Sequence, residues 1–170
     1  MAYEIVKRRL TASEADVLYK EIKTTPNILG LTRGEWRAFK DVWVAEKDGQ
    51  MAGVCANRDL PLGWSEVAAL YVLPEHRAHG LGRQLFELAF DDLVKRRRDI
   101  YVISRNPAII KMMEERRMRF LAIERMPLGI TLFNLAYMAQ PYRGWEMLRK
   151  QMAFRGDRSG FRGAILCSYR

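Results

Sequence analysis

Residues 66–94, EVAALYVLPEHRAHGLGRQLFELAFDDLV, decide the fold. The segment Val67–Leu73 is an apolar run of strand length, and Pro74 ends it because proline has no N–H to donate to a sheet. After Gly80, apolar residues recur at helical spacing and form one stripe. We therefore predict a strand, a glycine-containing turn and a helix, in that order.

The turn at residues 77–82 is suited to an anionic ligand such as a phosphate group. The first backbone N–H groups of a helix have no intrahelical acceptor, and the helix dipole places positive charge at the same end. Gly80 and Gly82 have no Cβ, so the backbone can adopt unusual conformations and approach a ligand closely. The alternative is a turn that simply precedes an ordinary amphipathic helix.

The fragment RAHGLG at residues 77–82 fits Arg/Gln-x-x-Gly-x-Gly/Ala, the pyrophosphate-binding signature of the GNAT N-acetyltransferase superfamily. The preceding LYV at 70–72 and Pro74 also match residues that this family favours at these positions. The chain resembles the family over about residues 3–138, most specifically in the middle third. The resemblance implies an α/β fold, a mixed central sheet with helices on both faces. It also implies an enzyme that moves an acetyl group from acetyl-CoA to a primary amine by direct attack in a ternary complex.

The resemblance further implies which residues would bind acetyl-CoA, the acyl donor. The strand end would contact pantetheine and the thioester, and a backbone N–H near Val72 would polarise the thioester carbonyl. The turn would contact the phosphates, chiefly through backbone N–H groups. Asn106 would bond pantetheine or, alternatively, cap the next helix. The full predicted set is Leu70, Tyr71, Val72, Arg77, Ala78, His79, Gly80, Leu81, Gly82, Arg83 and Asn106. No metal is expected, because no residues show metal-ligand spacing.

Glu66 is the candidate general base. The acceptor amine must lose a proton, which requires a base or an amine that is already neutral. Glu66 lies eleven residues before Arg77, an offset that resembles the base-bearing strand position in the histone acetyltransferase branch of the family. On a regular strand it would share a face with Ala68, Leu70 and Val72. The alternative is a solvated glutamate at the start of the strand.

The position of the general acid departs from the family pattern. Many members protonate the departing thiolate with a tyrosine in the helix after the fifth strand. Counted from Asn106 that position is Met113, and counted back from Phe120 it is Glu115. A thiol pKa of about 8.5 lets CoA leave as a thiolate at modest cost, so activity is not excluded. The departure keeps open a second hypothesis, a GNAT-fold module without catalysis that binds CoA, nucleic acid or a protein partner.

The chain has 170 residues and a formal charge of +9. This charge suits the phosphates of CoA, nucleic acid or an acidic partner, and disfavours a strongly cationic acceptor unless the pocket is locally acidic. Residues 141–170 hold seven Arg or Lys against Glu146 and Asp157, a net +5. In that segment the aromatics Tyr142, Trp145, Phe154 and Phe161 interleave with basic residues, as on single-strand nucleic-acid surfaces. We favour the alternative, a tail that packs on its own domain or on a partner subunit.

We predict a GNAT domain over residues 1–140 and a basic C-terminal extension over 141–170. The last two strands of the domain, Phe120–Met126 and Ile130–Met138, are expected to pair around a turn at Pro127. Capping boxes predict helix starts after Thr11 and after Thr32. The sequence shows no signal peptide and no membrane span, and two cysteines are too few for a disulfide framework. We expect a cytoplasmic protein and leave room for a homodimer.

Overall fold

A mixed sheet of seven strands runs through the residues that the computed structural model describes, namely 3–25, 30–153 and 161–167. The strands are β1 (Glu4–Lys7), β2 (Asp41–Lys47), β3 (Gln50–Asp59), β4 (Trp64–Val72), β5 (Asp99–Ser104), β6 (Arg119–Leu121) and β7 (Arg162–Leu166). The helices are α1 (Ala12–Lys23), α2 (Arg33–Ala38), α3 (Leu81–Lys95), α4 (Pro107–Glu115), α5 (Leu128–Met138) and α6 (Pro141–Ala153). The strands lie in the order β1-β2-β3-β4-β5-β7-β6, and β4 and β5 are parallel.

Helices cover both faces of this sheet. On the first face, α3 and α4 pack through buried residues such as Phe86 and Met113 against Val102 of β5. On the second face, α1 and α2 pack through Leu18 and Trp36, both fully buried. Burial of such side chains contributes about 1.5–3 kcal/mol each. The predicted mixed sheet with helices on both faces is confirmed.

Helices α5 and α6 lie on the second face, beside α1 and α2. Lys150 of α6 donates a hydrogen bond to the carbonyl of Ile22 at the end of α1, with an Nζ–O distance of 2.7 Å. The guanidinium of Arg143 on α6 lies 3.8 Å from the ring centroid of Tyr137 on α5. The second face is therefore held partly by charged side chains. Among the described residues, no helix is both long and apolar enough to cross a membrane.

Both predicted capping boxes are present. The Thr11 hydroxyl accepts from the backbone N–H of Glu14 at 3.3 Å, and the Glu14 carboxylate accepts from the Thr11 N–H at 2.8 Å. Thr32 and Glu35 form the same reciprocal pair at the start of α2. Each cap satisfies N–H groups that would otherwise lack a partner and is worth about 1 kcal/mol.

The predicted strand Ile130–Met138 is wrong, because this segment belongs to helix α5. A short apolar run fits a buried strand and a buried helix equally well by periodicity. The run is apolar in every direction: Ile130 is fully buried, whereas Leu132 and Leu135 are exposed. No one-sided stripe therefore marked it as helical. The predicted strand Phe120–Met126 is also shorter than expected, since β6 ends at Leu121.

The C-terminal segment supplies the strand that the sheet needs at this position. β7 lies between β5 and β6 and is antiparallel to both, with Ala164 opposite Val102 on one side and Phe120 on the other. Ala164 and Ile165 are buried. The chain after residue 140 therefore contributes an interior strand to the same sheet as the chain before it.

The start of α5 packs so closely on the β3–β4 connection that it requires glycine. A Cβ at Gly129 would lie 2.7 Å from the backbone oxygen of Pro61 and 3.1 Å from Cδ1 of Trp64. We expect Gly129→Ala to lower the free energy of unfolding by about 1–3 kcal/mol, because a backbone atom cannot move aside as a side chain can. Urea denaturation measures the change.

Gly144→Ala in α6 is the matched control. A Cβ at Gly144 meets no described atom within 4 Å. Alanine also suits a helix interior better than glycine, so we expect this variant to be neutral or more stable by up to about 1 kcal/mol. Equal stabilities of the two variants would contradict the close packing at Gly129.

Candidate active site

The two parallel strands at the centre of the sheet separate partway along their length. In the described structure, β4 and β5 pair at Trp64–Asp99, Ser65–Ile100 and Glu66–Tyr101. Among the described residues both strands continue beyond Glu66 without pairing with each other, while β5 pairs with β7 along its other edge. The separation opens a cleft of about 990 Å³ that is lined by residues from both faces of the sheet.

The backbone of β4 presents polar groups to this opening. Leu73 N donates to Ala52 O at 2.9 Å, so these two residues form a hydrogen-bonded pair of the antiparallel β3–β4 ladder. Hydrogen-bonded and non-hydrogen-bonded pairs alternate in such a ladder. The pair Gly53–Val72 is therefore non-hydrogen-bonded, and the N–H and C=O of Val72 point away from β3, towards the opening. The same alternation directs the backbone groups of Leu70 towards the opening.

A β-bulge in β4 changes which side chains share a face. Ala56 lies opposite Ala69 and Asn57 lies opposite Val67, so Ala68 is the extra residue. One inserted residue shifts the alternation of a strand and sends the side chains beyond it to the other face. If regular alternation is assumed through such a bulge, the side chains on one side of it are assigned to the wrong face of the sheet.

The bulge separates Glu66 from the residues with which it was predicted to share a face. Leu70 and Val72 pack on the first face, in the cluster that contains α3. Glu66 forms an ion pair with Arg58, whose guanidinium lies 4.6 Å from the ring of Phe133 on α5, on the second face. The predicted common face of Glu66, Leu70 and Val72 is thus wrong.

The cleft brings together nearly all of the predicted site residues. Those that line it are Glu66, Leu70, Tyr71, Val72, Arg77, Ala78, Gly80, Leu81, Gly82, Arg83 and Asn106. His79 is exposed and lies outside the described lining. Its neighbour His76 does line the cleft and bonds to the hydroxyl of Tyr3 through Nδ1 at 3.3 Å.

The turn leaves the start of α3 open towards the cleft. Gly80 is the N-cap residue with φ +72°, a left-handed conformation that favours glycine, and within the described structure no side chain caps this end. Gln84 N is the first to bond inside the helix, to Gly80 O at 3.1 Å. The N–H groups of Leu81, Gly82 and Arg83 are therefore the ones that an anion at this end could bind.

The side chain of Arg77 braces the end of β4. Its Nε donates to the carbonyl of Val72 at 3.0 Å, and its Nη2 donates to the Tyr71 hydroxyl at 3.0 Å. Tyr71 in turn donates to Oε2 of Glu21, at the end of α1, at 2.8 Å. Burial and the bond to Glu21 raise the pKa of Tyr71 to about 12. This connection between the turn and α1 was not predicted, because Glu21 and Tyr71 are fifty residues apart in the sequence.

Arg58 is the partner of Glu66 across the β3–β4 hairpin. Its Nε and Nη2 both donate to Oε2 of Glu66, at 3.2 and 2.7 Å, and Glu66 is only 5% exposed. The guanidinium also lies 4.9 Å from the ring of Tyr137, a stacking that favours arginine over lysine. The hairpin register counted from the turn at Pro61–Gly63 could have suggested this cross-strand pair, because the bulge lies beyond it.

The structure clarifies the position of the missing tyrosine. Of the two alternatives, Met113 is fully buried in the core and Glu115 is exposed and hydrogen-bonded to Arg83. Two other tyrosines line the cleft, Tyr101 opposite Glu66 and Tyr137 on α5. Burial is the main cause that raises the pKa of each to about 12, so both are protonated at neutral pH.

Asn106 sits at the start of α4, at the rim of the same cleft. Its Oδ1 accepts from the backbone N–H of Ala108 at 2.9 Å, so the capping role is present. The cap leaves the Nδ2 group of Asn106 able to donate to a ligand. No group of three or more His, Cys, Asp or Glu side chains within the described ranges could hold a metal ion.

Comparison with known proteins agrees with the resemblance that the sequence indicated. Residues 38–116 match the family model of the acetyltransferase (GNAT) domain. No curated protein sequence matches the chain. A solved structure of Rv2747 from Mycobacterium tuberculosis in complex with CoA and NLQ is 15% identical, with a TM-score of 0.67, and the match covers 95% of this chain and 98% of that one.

Two further solved structures extend the comparison. N-acetylglutamate synthase from Neisseria gonorrhoeae, complexed with coenzyme A and N-acetyl-glutamate, is 16% identical with a TM-score of 0.66. That match covers 98% of this chain, which spans only 35% of the Neisseria chain. The ribosomal-protein-S18-alanine N-acetyltransferase from Escherichia coli is 19% identical with a TM-score of 0.56, and the match covers 71% of this chain and 80% of that one.

At these identities, structural likeness demonstrates a common fold, and the match to the family model covers the strands and the turn that carry the signature. Both results agree with the sequence of the turn at residues 77–82 and with its geometry. The predicted resemblance is confirmed: residues 38–116 match the model of the GNAT acetyltransferase domain, and the fold is shared with solved GNAT acetyltransferase structures.

Proposed function

We propose that this protein transfers an acetyl group from acetyl-CoA to the amine of a small acceptor, and that the acceptor is an α-amino acid. The observation that carries the proposal is the cleft between β4 and β5. It joins an open helix N-terminus on the first face to the Arg58–Glu66 pair on the second face. Donor and acceptor can therefore enter from opposite faces and meet beside the end of β4.

The donor side is formed mainly by backbone groups. The N–H groups at the start of α3 would bind the pyrophosphate, and the backbone of Leu70 and Val72 would pair with the pantetheine arm. The N–H groups of Leu70 and Val72 point into the opening, and that of Leu70, which is the nearer to Glu66 along β4, would stabilise the negative charge that develops on the thioester oxygen. The solved structures of Rv2747 and of the Neisseria synthase each hold CoA.

Glu66 is the group that would accept the proton of the attacking amine. Because Arg58 bonds to Oε2, Oε1 is the oxygen available to a ligand. The amine nitrogen forms the new bond to the acetyl carbon, the carbon–sulfur bond breaks, and CoA leaves as a thiolate with a thiol pKa of about 8.5. Tyr101 and Tyr137, which line the cleft and are both protonated at neutral pH, could return a proton to sulfur.

The charges on the second face support an amino acid as acceptor. Arg58 and Glu66 place a positive and a negative group side by side, and an α-amino acid carries a carboxylate next to its ammonium group. Two of the solved structures that match at least 95% of this chain hold N-acetyl-glutamate in one case and NLQ in the other. The Escherichia coli enzyme that acts on a ribosomal protein matches only 71% of the chain.

The structure offers less support for nucleic-acid binding. Of the basic residues in the C-terminal segment, Arg143 is fully buried and Lys150 is 5% exposed. Trp145 and Phe161 are exposed, whereas Phe154 lies outside the described residues. Buried cations cannot contact phosphates, so the basic surface is smaller than the sequence suggested. A non-catalytic module becomes the better hypothesis if acetyl-CoA binds and no amine releases CoA.

The acceptor class can be tested by release of free CoA thiol from acetyl-CoA. Matched pairs of acceptors differ by one carboxylate: L-alanine against ethylamine, and L-glutamate against 4-aminobutyrate. We expect kcat/KM to be at least about tenfold higher for each amino acid, since the carboxylate would gain the charge of Arg58. Equal values within each pair would contradict the amino-acid assignment, and the absence of release with every amine would contradict transferase activity.

Gly80 is expected to be essential for binding CoA. Its φ of +72° is unfavourable for a β-branched residue, so Gly80→Val should distort the turn and raise the Kd of CoA at least about tenfold. Gly49→Val is the matched control, because Gly49 has φ +74° and lies in the β2–β3 turn, where an added Cβ meets no described atom. Calorimetric titration should show normal CoA affinity for the control. Equal weakening in both variants would exclude a specific role for the turn.

Glu66→Gln tests the general base. We expect kcat/KM for the acceptor to fall by about a hundredfold at neutral pH, within the range for loss of a general base. The loss should shrink as the pH approaches the pKa of the acceptor amine, because a neutral amine needs no base. Glu75→Gln, at an exposed position outside the cleft lining, is the control and should retain full activity. Identical pH profiles for Glu66→Gln and the unmodified protein would remove Glu66 from the mechanism.

A further inference from the structure

Helix α6 has its charged side inward and its apolar side outward. Arg143, Glu146 and Lys150 are each at most 5% exposed, and their spacing places them on one side of the helix. Trp145 and Leu148, on the other side, are 63% and 48% exposed. This orientation is the reverse of what hydrophobic burial alone would produce. The contacts of the charged residues must therefore account for the way α6 lies on the protein.

The buried charged side of α6 binds the chain at the end of α1. Lys150 Nζ donates to the carbonyl oxygens of Ile22 and Thr25, each at 2.7 Å. Arg149 Nη2 donates to the carbonyl of Lys23 at 3.1 Å. The last carbonyls of a helix lack intrahelical partners and carry the negative end of its dipole, so cationic donors are well suited to them. These bonds hold the C-terminal end of α1 in place against α6.

Arg143 extends the same contacts to α2 and α5. Its guanidinium donates to the carbonyl of Gly30 and to the Glu35 carboxylate of α2, and it lies over the ring of Tyr137. Glu146 packs directly on Gly30, where an added Cβ would lie 2.6 Å from Cγ of Glu146. One side of α6 thus contacts α1, the segment before α2, and α5.

The residues held in this way form the second-face wall of the cleft. Glu21, Thr24 and Thr25 at the end of α1 line it, as do Leu31 and Tyr137. The contacts of α6 involve the carbonyl of Thr25, the residue before Leu31 and the ring of Tyr137 itself. No charged residue of α6 belongs to the described lining, so α6 acts on the cleft through these residues.

Keeping these charges away from water has a free-energy cost. Burial lowers the pKa of Lys150 to about 8 and that of Arg143 to about 10, because the charged forms lose hydration. Replacing buried charges by apolar residues is often neutral or stabilising in other proteins. An arrangement that carries such a cost is better explained by the geometry it imposes than by the stability it adds.

We propose that the buried charged side of α6 is a positioning element. It sets the distances among three parts of the second-face wall, namely the end of α1, the Gly30–Leu31 segment and Tyr137. These distances select the acceptors that fit against the wall. Lys150 and Arg143 are its positioning residues. That this wall contacts the acceptor rests on the proposed function. That α6 holds the wall in position does not depend on any acceptor.

Lys150→Met is the variant that tests this proposal. Methionine is similar in length to lysine and suits a helix, but it cannot donate to Ile22 or Thr25. Arg125→Met removes one exposed cation outside α6 and gives the same net charge, so it controls for charge. Leu148→Ala, on the exposed side of α6, controls for changes in the helix itself.

Hydrogen exchange followed by mass spectrometry reads the position of the wall without an acceptor. In Lys150→Met we expect about tenfold faster exchange of the amides of residues 19–25, the factor expected when hydrogen bonds from one charged group are lost. Residues 81–95 of α3 should exchange as before, and both controls should match the unmodified protein. Unchanged exchange at 19–25, or equal loosening of α3, would overturn the proposal.

Steady-state kinetics then separate positioning from general damage. With L-glutamate as the acceptor probe, we expect Lys150→Met to raise the KM for the acceptor about tenfold while the KM for acetyl-CoA and kcat change less than about twofold. An equal rise in both KM values would overturn the proposal. If the unmodified protein releases no CoA, the proposed function fails, and the exchange experiment alone decides whether α6 positions the wall.

Discussion

The separation of β4 from β5 after Glu66 is the constraint on which the rest of the site depends. A buried backbone N–H or C=O needs a hydrogen-bond partner, and within a sheet the neighbouring strand normally provides it. Beyond Glu66 the described β4 and β5 no longer pair with each other, so the outward groups of Leu70 and Val72 must find another partner. Arg77 satisfies the Val72 carbonyl, and the Val72 N–H is left for a ligand or water. The cleft exists because this ladder is incomplete.

The bulge at Ala68 gives the cleft two chemically different sides. It directs Leu70 and Val72 to the face of α3, where backbone N–H groups and a helix dipole suit an anionic ligand. It leaves Glu66 on the opposite face with Arg58, among the aromatic rings of α5. Although the chain has a net charge of +9, the positive and negative charges of this pair cancel locally on the second face. Glu66, the proposed general base, and the proposed donor site can thus be close in the sheet and still belong to separate surfaces.

Charged side chains also hold the second face together. Tyr71 links Glu21 to Arg77, and α6 binds the end of α1 through Lys150. The end of α1 is therefore fixed from two directions, by the strand that borders the opening and by a helix from the C-terminal segment. Arg77 also bonds to the carbonyl of Val72, so one series of hydrogen bonds joins the end of β4 to the end of α1.

The sequence by itself determined the features that depend on neighbours in the chain. The strand before Pro74, the glycine turn, the start of α3 and both capping boxes follow from local backbone chemistry, and the structure has them where they were predicted. Tertiary structure alone decided the features that depend on distant partners. The apolar run after Pro127 became a helix, β7 filled the sheet, the bulge put Glu66 on the face opposite Leu70 and Val72, and α6 turned its charges inward. The physical reason is that backbone propensity acts over a few residues, whereas strand pairing and the burial of charge are settled by groups that only the folded chain brings together.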